Sequence, residues 1–316
     1  MLKKILVTGA NGFIGKALCT KMLESGWAVK GAFRKRSGFD GLPRGVEVVN
    51  LGPIENCNLQ VNDFEGVEVV IHLAARVHVI GENTTESFDA FRRVNVLGTK
   101  HLAQMAARSG VKRFVFISSV KVNGEGADKP YTENDILAPE DAYGVSKREA
   151  EDLLNDIAKN TGLELVILRL PLVYGPGVKA NFKDLIKIAG KGLPLPFKGI
   201  RNLRSFLYLG NLLDAVMTCV KHPKAAGETF MVSDGQDVST PDLIKMIAIA
   251  MNKKEILFFL PIYVLKVLCR IIGKEQALNK LIGTLLVDSS KIRNLLGWNP
   301  PFTLEEGIRE TVKNNR

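Results

Sequence analysis

Residues 4–15 read KILVTGANGFIG, an apolar run of strand character that breaks at Gly9 and passes into a helical pattern at Phe13. Gly9, Gly12 and Gly15 fall at the spacing that serves a tight turn, a close approach of backbone to an anion, and close packing of the new helix on the strand before it. The first amides of a helix lack internal partners and sit at its positive end, which is why a pyrophosphate suits this place. A glycine pattern by itself is weak. Set between a strand and a helix, it predicts a dinucleotide-binding βαβ unit, with Asn11, Phe13 and Ile14 of the same loop beside the ligand.

Working outward, GFIGKALCTKMLES (12–25) has helical periodicity and stops at Gly26, and WAVKGAF (27–33) reads as a second strand. VEVVN (46–50), VEVVIHLAA (67–75), VKRFVFISS (111–119) and LELVILRL (163–170) read as further strands, with helices before and between the last three. This alternation predicts an α/β fold, a Rossmann-type doubly wound parallel sheet with helices on both faces. After Pro171 the stretches YGPG, GKGLPLP and KGIRNLR are rich in loops, so a dinucleotide-binding domain is expected over 1–176 and a smaller α/β domain over 177–316, with segments free to interleave.

Composition narrows the classes. The 316 residues are 46% hydrophobic and 24% charged, which suits a globular protein rather than a disordered chain. The first apolar run is too short for a signal peptide, so a cytoplasmic protein is expected. Cys19, Cys57, Cys219 and Cys269 are scattered without C-x-x-C or ligand spacing, so no metal site and no disulfide framework is expected. A formal charge of +10 favours anionic partners; without a nucleic-acid motif, the partner is expected to be a phosphorylated small molecule and not nucleic acid.

Two further motifs carry chemistry. At the end of the second strand, where an acid would bond the adenosine ribose of NAD, the sequence is GAFRKRSG (31–38). Arg34, Lys35 and Arg36 there suit a 2′-phosphate, with Arg34 the leading contact and Lys35 beside it, so NADP(H) is the favoured cofactor and NAD(H) the alternative. Downstream, YGVSK (143–147) opens a helix, and four-residue spacing puts Tyr143 and Lys147 on one face. A nearby ammonium favours phenolate, so Tyr143 is expected to exchange a proton with a substrate oxygen near neutral pH. Ser118-Ser119 ends the preceding strand, at the sheet edge where such folds place their ligand crevice.

Together TGANGFIG, the serine in FISSVKVNG and the YxxxK pair resemble the extended short-chain dehydrogenase/reductase family, of epimerase/dehydratase type. HLAA (72–75), NVLGT (95–99) and VDSSKIRNLLGWNP (287–300) extend the resemblance over nearly the whole chain. It implies a catalytic trio of Ser119, Tyr143 and Lys147, with Lys147 also on the nicotinamide ribose and Asn95 supporting the central helix and a relay water. It implies cofactor contacts from Asn50, Leu51, Leu73, Ala74, Ala75 and Pro171; Asn50 replaces the Asp that many members direct to the adenine amine, and its amide oxygen can accept the same bond. The second domain is then a nucleotide-sugar domain, often in a homodimer.

Within the family, SSVKVNGE (118–125) and LPLVYGPGVKANF (170–182) are similar to bacterial UDP-4-keto-6-deoxy-N-acetylhexosamine reductases and, more distantly, to UDP-glucose 4-epimerases. The resemblance implies a UDP-sugar substrate met by Lys121 at the sugar ring, Asn181 with Phe182 beside it, and Arg204 at the diphosphate. A second arginine clamp has no clear counterpart in ALNKLIGTLL, where the resemblance leaves Lys280 as the expected substitute. The favoured function is NADP(H)-dependent reduction of the C4 keto group of a UDP-linked hexosamine for surface polysaccharide precursors. The alternatives are a 4-epimerase with tightly held NAD and a non-catalytic dinucleotide sensor. Dehydration is disfavoured because Val120 and Lys121 stand where dehydratases resemble an Asp-Glu pair.

One stretch stands apart. ILFFLPIYVLKVLCRIIG (256–273) is strongly apolar, but Pro261, Lys266 and Arg270 argue against a transmembrane span. A helix packed in the small domain is the favoured reading, and an interfacial helix touching a membrane surface is the lesser one.

Overall fold

The computed structural model describes residues 3–33, 41–54, 60–77, 85–126 and 129–314. Nine strands are present among them: β1 (Lys4–Thr8), β2 (Ala28–Phe33), β3 (Glu47–Asn50), β4 (Val67–His72), β5 (Arg113–Ser119), β6 (Glu164–Leu170), β7 (Leu172–Tyr174), β8 (Phe206–Tyr208) and β9 (Thr229–Met231). Seven form one parallel sheet in the order β3-β2-β1-β4-β5-β6-β9, and β7 and β8 form a separate parallel pair. The order reverses direction at β1, between β2 and β4, so the crevice opens at the carboxyl ends of these strands. β4 stops at His72, opposite Thr8, because β1 turns away at Gly9; Leu73, Ala74 and Ala75, expected within the strand, have left the ladder.

The sheet is apolar on both faces, as helices on both sides require. Helix α1 (Phe13–Glu24) covers one face with Leu18, Cys19 and Met22. On the other face lie the central helix, running from α2 (Thr85–Phe91) through a π-helical turn, Arg92–Leu97, into α3 (Gly98–Arg108), and α4 (Ala142–Thr161) with Leu154 and Ile157. The first face also takes helices from beyond residue 176: α6 (Leu209–Lys221) and α10 (Ser290–Leu296) share the core of β1 and β5, and β9 pairs with β6. The chain thus crosses back after the expected boundary. Arg113 fastens one such return, donating from Nη1 to the carbonyls of Cys219, Val220 and His222 at 2.7–3.0 Å, a positive cap on the end of α6.

A second core unites α5 (Ala180–Gly190), α7 (Thr240–Ala250) and α11 (Leu304–Lys313) around β7 and β8. At its centre Tyr174 stacks on Phe182, 5.1 Å between rings, and its hydroxyl donates to Asp234 Oδ2 at 3.0 Å. Asp234 Oδ1 also accepts from the Tyr208 amide and from Asn211 Nδ2, so a single buried carboxylate joins β7, β8 and α6. Helices α8 (Ile262–Ile271) and α9 (Glu275–Ile282) form a satellite resting on Ile200, Leu265 and Leu278. The apolar stretch expected to pack inside the small domain instead lies on the surface, with Leu265 the only residue of α8 that is buried.

Candidate active site

The glycine loop is set by main-chain contacts. Gly9 has φ +68°, its amide donates to Ala32 O at 2.9 Å, and the Gly12 amide donates back to Gly9 O at 2.9 Å. A Cβ at Gly15 would strike the Gly9 carbonyl oxygen and lie 2.8 Å from Ala10 Cα, and one at Gly9 would lie 3.0 Å from the Ala74 amide. Helix α1 begins at Gly12 without a side-chain cap, leaving its first amides for an anion. These observations fit a dinucleotide diphosphate on the loop, with the Leu73–Ala75 segment as the opposite wall.

That wall is pinned by a histidine. Buried His72 has Nδ1 2.6 Å from Thr8 Oγ1 and Nε2 2.9 Å from Thr99 Oγ1, and Thr8 Oγ1 accepts from the Ala74 amide. Burial, assisted by the Lys147 charge, pushes the His72 pKa down to about 3, so the imidazole is neutral. One ring therefore couples β1, β4 and α3 beneath the loop. Asn95, in the π-helical turn, completes the arrangement: Oδ1 accepts from the Arg76 amide at 2.7 Å, and Nδ2 donates to Arg76 O and to Ser146 Oγ at 2.9 Å. A π-turn inserts one residue into the helical ladder and re-aims the side chains around it, which lets Asn95 bridge the strand exit and α4.

Helix α4 starts where its sequence says it should. Asp141 is the N-cap, its Oδ1 accepting from the Gly144 amide at 2.7 Å, so Tyr143 and Lys147 fall in the first two turns. Lys147 is buried, lies 4.4 Å over the Phe116 ring and 5.9 Å from the Tyr143 ring centre, and donates to Ile117 O at 2.7 Å. Burial lowers its pKa to about 7 against the opposing pull of Glu151. Burial raises the Tyr143 pKa, and the Asp141 carboxylate raises it further. Burial therefore favours the protonated phenol, against the expectation that the Tyr-Lys spacing lowers its pKa.

The two serines separate cleanly. Ser118 is buried and donates to Glu151 Oε1 at 2.5 Å; Glu151 pairs with Arg169 in turn, Nη2 to Oε2 at 2.7 Å. Ser119, one residue on, is half-buried at the end of β5 and accepts from the Lys121 amide at 3.3 Å, two residues beyond the Ile117 carbonyl that holds Lys147. The buried Glu151–Arg169 pair under the trio went unread in the sequence, because its members are 18 positions apart on different elements with no motif joining them.

The other expected contacts are mixed. Asn50 closes a turn, its Oδ1 accepting from the Gly52 amide at 3.1 Å, and Leu51 is buried beside it. Phe13 leaves the glycine loop to pack on the small-lobe core, and Pro171 is buried between β6 and β7. Arg34, Lys35 and Arg36 lie outside the described residues. Lys121, expected at the sugar ring, has its ammonium held by Asp141 and Glu125, 2.5 and 2.6 Å away. Burial opposes the charge, but those two carboxylates outweigh it and raise the pKa. Phe182 belongs to the aromatic core, at 2% exposure, rather than to a rim. Asn181 stands in the first turn of α5. Arg204 turns its Nη1 to the carbonyls of Lys280 and Gly283, at 2.6 and 3.1 Å, so it meets the main chain of Lys280 while the lysine side chain is exposed.

Comparison with known proteins agrees with this geometry. Residues 5–233 match the NAD dependent epimerase/dehydratase family. The chain is 44% identical to a UDP-glucose 4-epimerase of Vibrio cholerae, over 99% of this chain and 95% of that one. It is 27% identical to a dTDP-4-dehydro-6-deoxyglucose reductase of Escherichia coli, over 99% and 97%. The structure of MoeE5 in complex with UDP-glucuronic acid and NAD superposes with a TM-score of 0.79 at 27% identity, covering 99% of both chains.

Proposed function

Starting from the premise that the chain belongs to the NAD dependent epimerase/dehydratase family, as its match over residues 5–233 shows, we propose that it is a 4-epimerase of a UDP-hexose that keeps NAD bound through the cycle. The observation that carries the reading is the buried Lys147 ammonium tethered to Ile117 O, two residues before Ser119 at the end of β5 and one helical turn beyond Tyr143. Such a trio suits hydride exchange at a secondary alcohol or ketone. The 44% identity to a UDP-glucose 4-epimerase and the NAD in MoeE5 support epimerisation with NAD over the NADPH-driven reduction favoured by the sequence.

When bound, the oxidised nicotinamide supplies a hydride acceptor and one positive charge. Ser119 orients the C4 oxygen. Tyr143 would act here as a phenolate, its own proton having gone to solvent once the Lys147 ammonium and the nicotinamide charge stand beside it; it would take the proton of the C4 hydroxyl and give it back to the C4 oxygen at the end of the cycle. Lys147, buried and tethered, supplies the nearby cation that stabilises a phenolate in that step. His72 and Asn95 hold the wall and the central helix and take no proton.

A second reading, a 4-ketoreductase using NADP(H), is favoured by Arg34-Lys35-Arg36 standing where an acid would meet NAD, and by the 27% identity to a 4-keto sugar reductase. One experiment separates the two. Purified protein incubated with UDP-glucose or UDP-N-acetylglucosamine, without added cofactor, should yield the 4-epimer and release NAD on denaturation. Inertness in that assay, with stoichiometric NADPH oxidation when a UDP-4-keto-6-deoxy-hexosamine is supplied, would replace the epimerase by the reductase.

A further inference from the structure

We propose that helix α8 is a docking surface for a bilayer that carries anionic lipids. The helix shows the solvent an apolar stripe at four-residue spacing: Tyr263, Val267 and Ile271 are 72, 55 and 76% exposed. Phe259 before the helix and Ile272 after it are also exposed, at 66 and 64%. Single exposed apolar side chains are ordinary, but a contiguous run on one small helix marks a surface that is covered in use.

Charge identifies the occupant. Lys266 and Arg270 are also four apart, directly beside the stripe, and residues 253–274 contain five cations, with Lys253, Lys254 and Lys274, against one acid, Glu255. Cations beside an apolar stripe and on the segments flanking its helix fit an interface where the stripe enters the acyl boundary and the long side chains reach the headgroups. Glu255 faces Lys245 at 3.7 Å, and Glu275, the acid nearest the helix, is already held by Arg270 at 2.7 Å. A second copy fits poorly, because a two-fold contact on this face would bring two sets of the same cations together while the nearby acids are already engaged. No helix among the described residues is long and apolar enough to cross a membrane, so the contact lies at the surface.

The test uses the full chain in vesicle co-sedimentation, with phosphatidylcholine alone and with phosphatidylcholine mixed with phosphatidylglycerol. The chain should sediment with the mixed vesicles and not with the neutral ones. Val267→Glu with Ile271→Glu should reduce the bound fraction about tenfold, with unaltered catalytic turnover and an unaltered circular dichroism melt, since both side chains point away from the core. Lys266→Gln and Lys274→Gln should each weaken binding about fivefold. The proposal is overturned if the chain stays in the supernatant with both vesicle types. It is equally overturned if the glutamate pair changes the oligomeric mass in solution and leaves sedimentation untouched, which would assign the face to a second copy of the chain.

Discussion

The crevice at the ends of β1, β4 and β5 and the satellite of α8 and α9 hold their residues by opposite means. In the crevice nearly every functional group is tied to a distant part of the chain: Gly9, Lys147 and Asn95 to the main chain of Ala32, Ile117 and Arg76, and His72 to the hydroxyls of two threonines. In the satellite a small cluster around Leu265 does the holding, and most side chains of α8 face solvent. The first region is rigid enough to direct a proton. The second is exposed enough to meet a partner. A residue in the crevice has one place to go, whereas in the satellite the neighbours decide.

The largest effect that would break this contrast is catalytic. If the crevice geometry directs the proton, Tyr143→Phe should cut turnover by about a hundredfold to ten-thousandfold while NAD remains bound, read by steady-state rates and by the cofactor released on denaturation. Near-normal turnover would remove Tyr143 from the chemistry and leave the crevice as a binding site only.

Next is the pair beneath the trio. Glu151→Leu leaves the Arg169 guanidinium buried without its carboxylate and removes the acceptor of Ser118, so urea unfolding should show a loss of about 3 kcal/mol. Adding Arg169→Met should restore most of it, because two apolar residues there leave no charge uncompensated. A loss of less than about 1 kcal/mol in the single variant would mean that the crevice is less tightly determined than these bonds imply.

The same contrast explains what the amino-acid sequence could reveal. The strands, the glycine loop and the Tyr143-Lys147 face were legible because backbone periodicity and the space for a Cβ decide them, and both are local. Asp141, the cap just ahead of that helix, went unread although a capping residue is also a local signal. Choosing Ser119 over Ser118 by structure required Glu151, which comes from another element. Lys121 and Phe182 stand in recognisable segments, yet carboxylates took the first and an aromatic core took the second. β9, three residues long, has too little length for a period, so the crossing back of the chain was not readable beyond the general expectation of interleaving.

A smaller and pH-dependent effect tests the wall. His72 is neutral in the folded chain down to about pH 3 but protonates near 6.5 when unfolded. Between those values the unfolded state binds the extra proton, so stability contributed by the neutral ring is complete above about pH 6.5 and is lost as pH falls towards 3. The slope from this single group is at most ~1.4 kcal/mol per pH unit. His72→Gln, which cannot titrate, should flatten urea-derived stability across that window while lowering it at pH 8. An unchanged slope would place the acid sensitivity elsewhere.

The smallest expected effect lies where the two regions meet, at Arg204. Its Nη1 bonds the carbonyls at the end of α9, which makes it a cap for the satellite. A guanidinium has five N–H donors, so two carbonyls on Nη1 leave Nε and Nη2 with the geometry to take a phosphate oxygen as well. Burial lowers the Arg204 pKa, with Glu125 opposing, so exchange of the cation for a neutral side chain also removes a desolvation cost and softens the net loss of stability to about 1 kcal/mol. If Arg204 only caps α9, Arg204→Ala will lower the melting temperature slightly and leave KM unchanged. If it also receives the diphosphate of a nucleotide sugar, KM should rise about tenfold with kcat nearly constant, since a diphosphate remote from C4 is bound equally in ground and transition states. Arg204→Lys should then recover part of the binding and little of the cap, because an ammonium carries the charge without the fork that reaches both carbonyls.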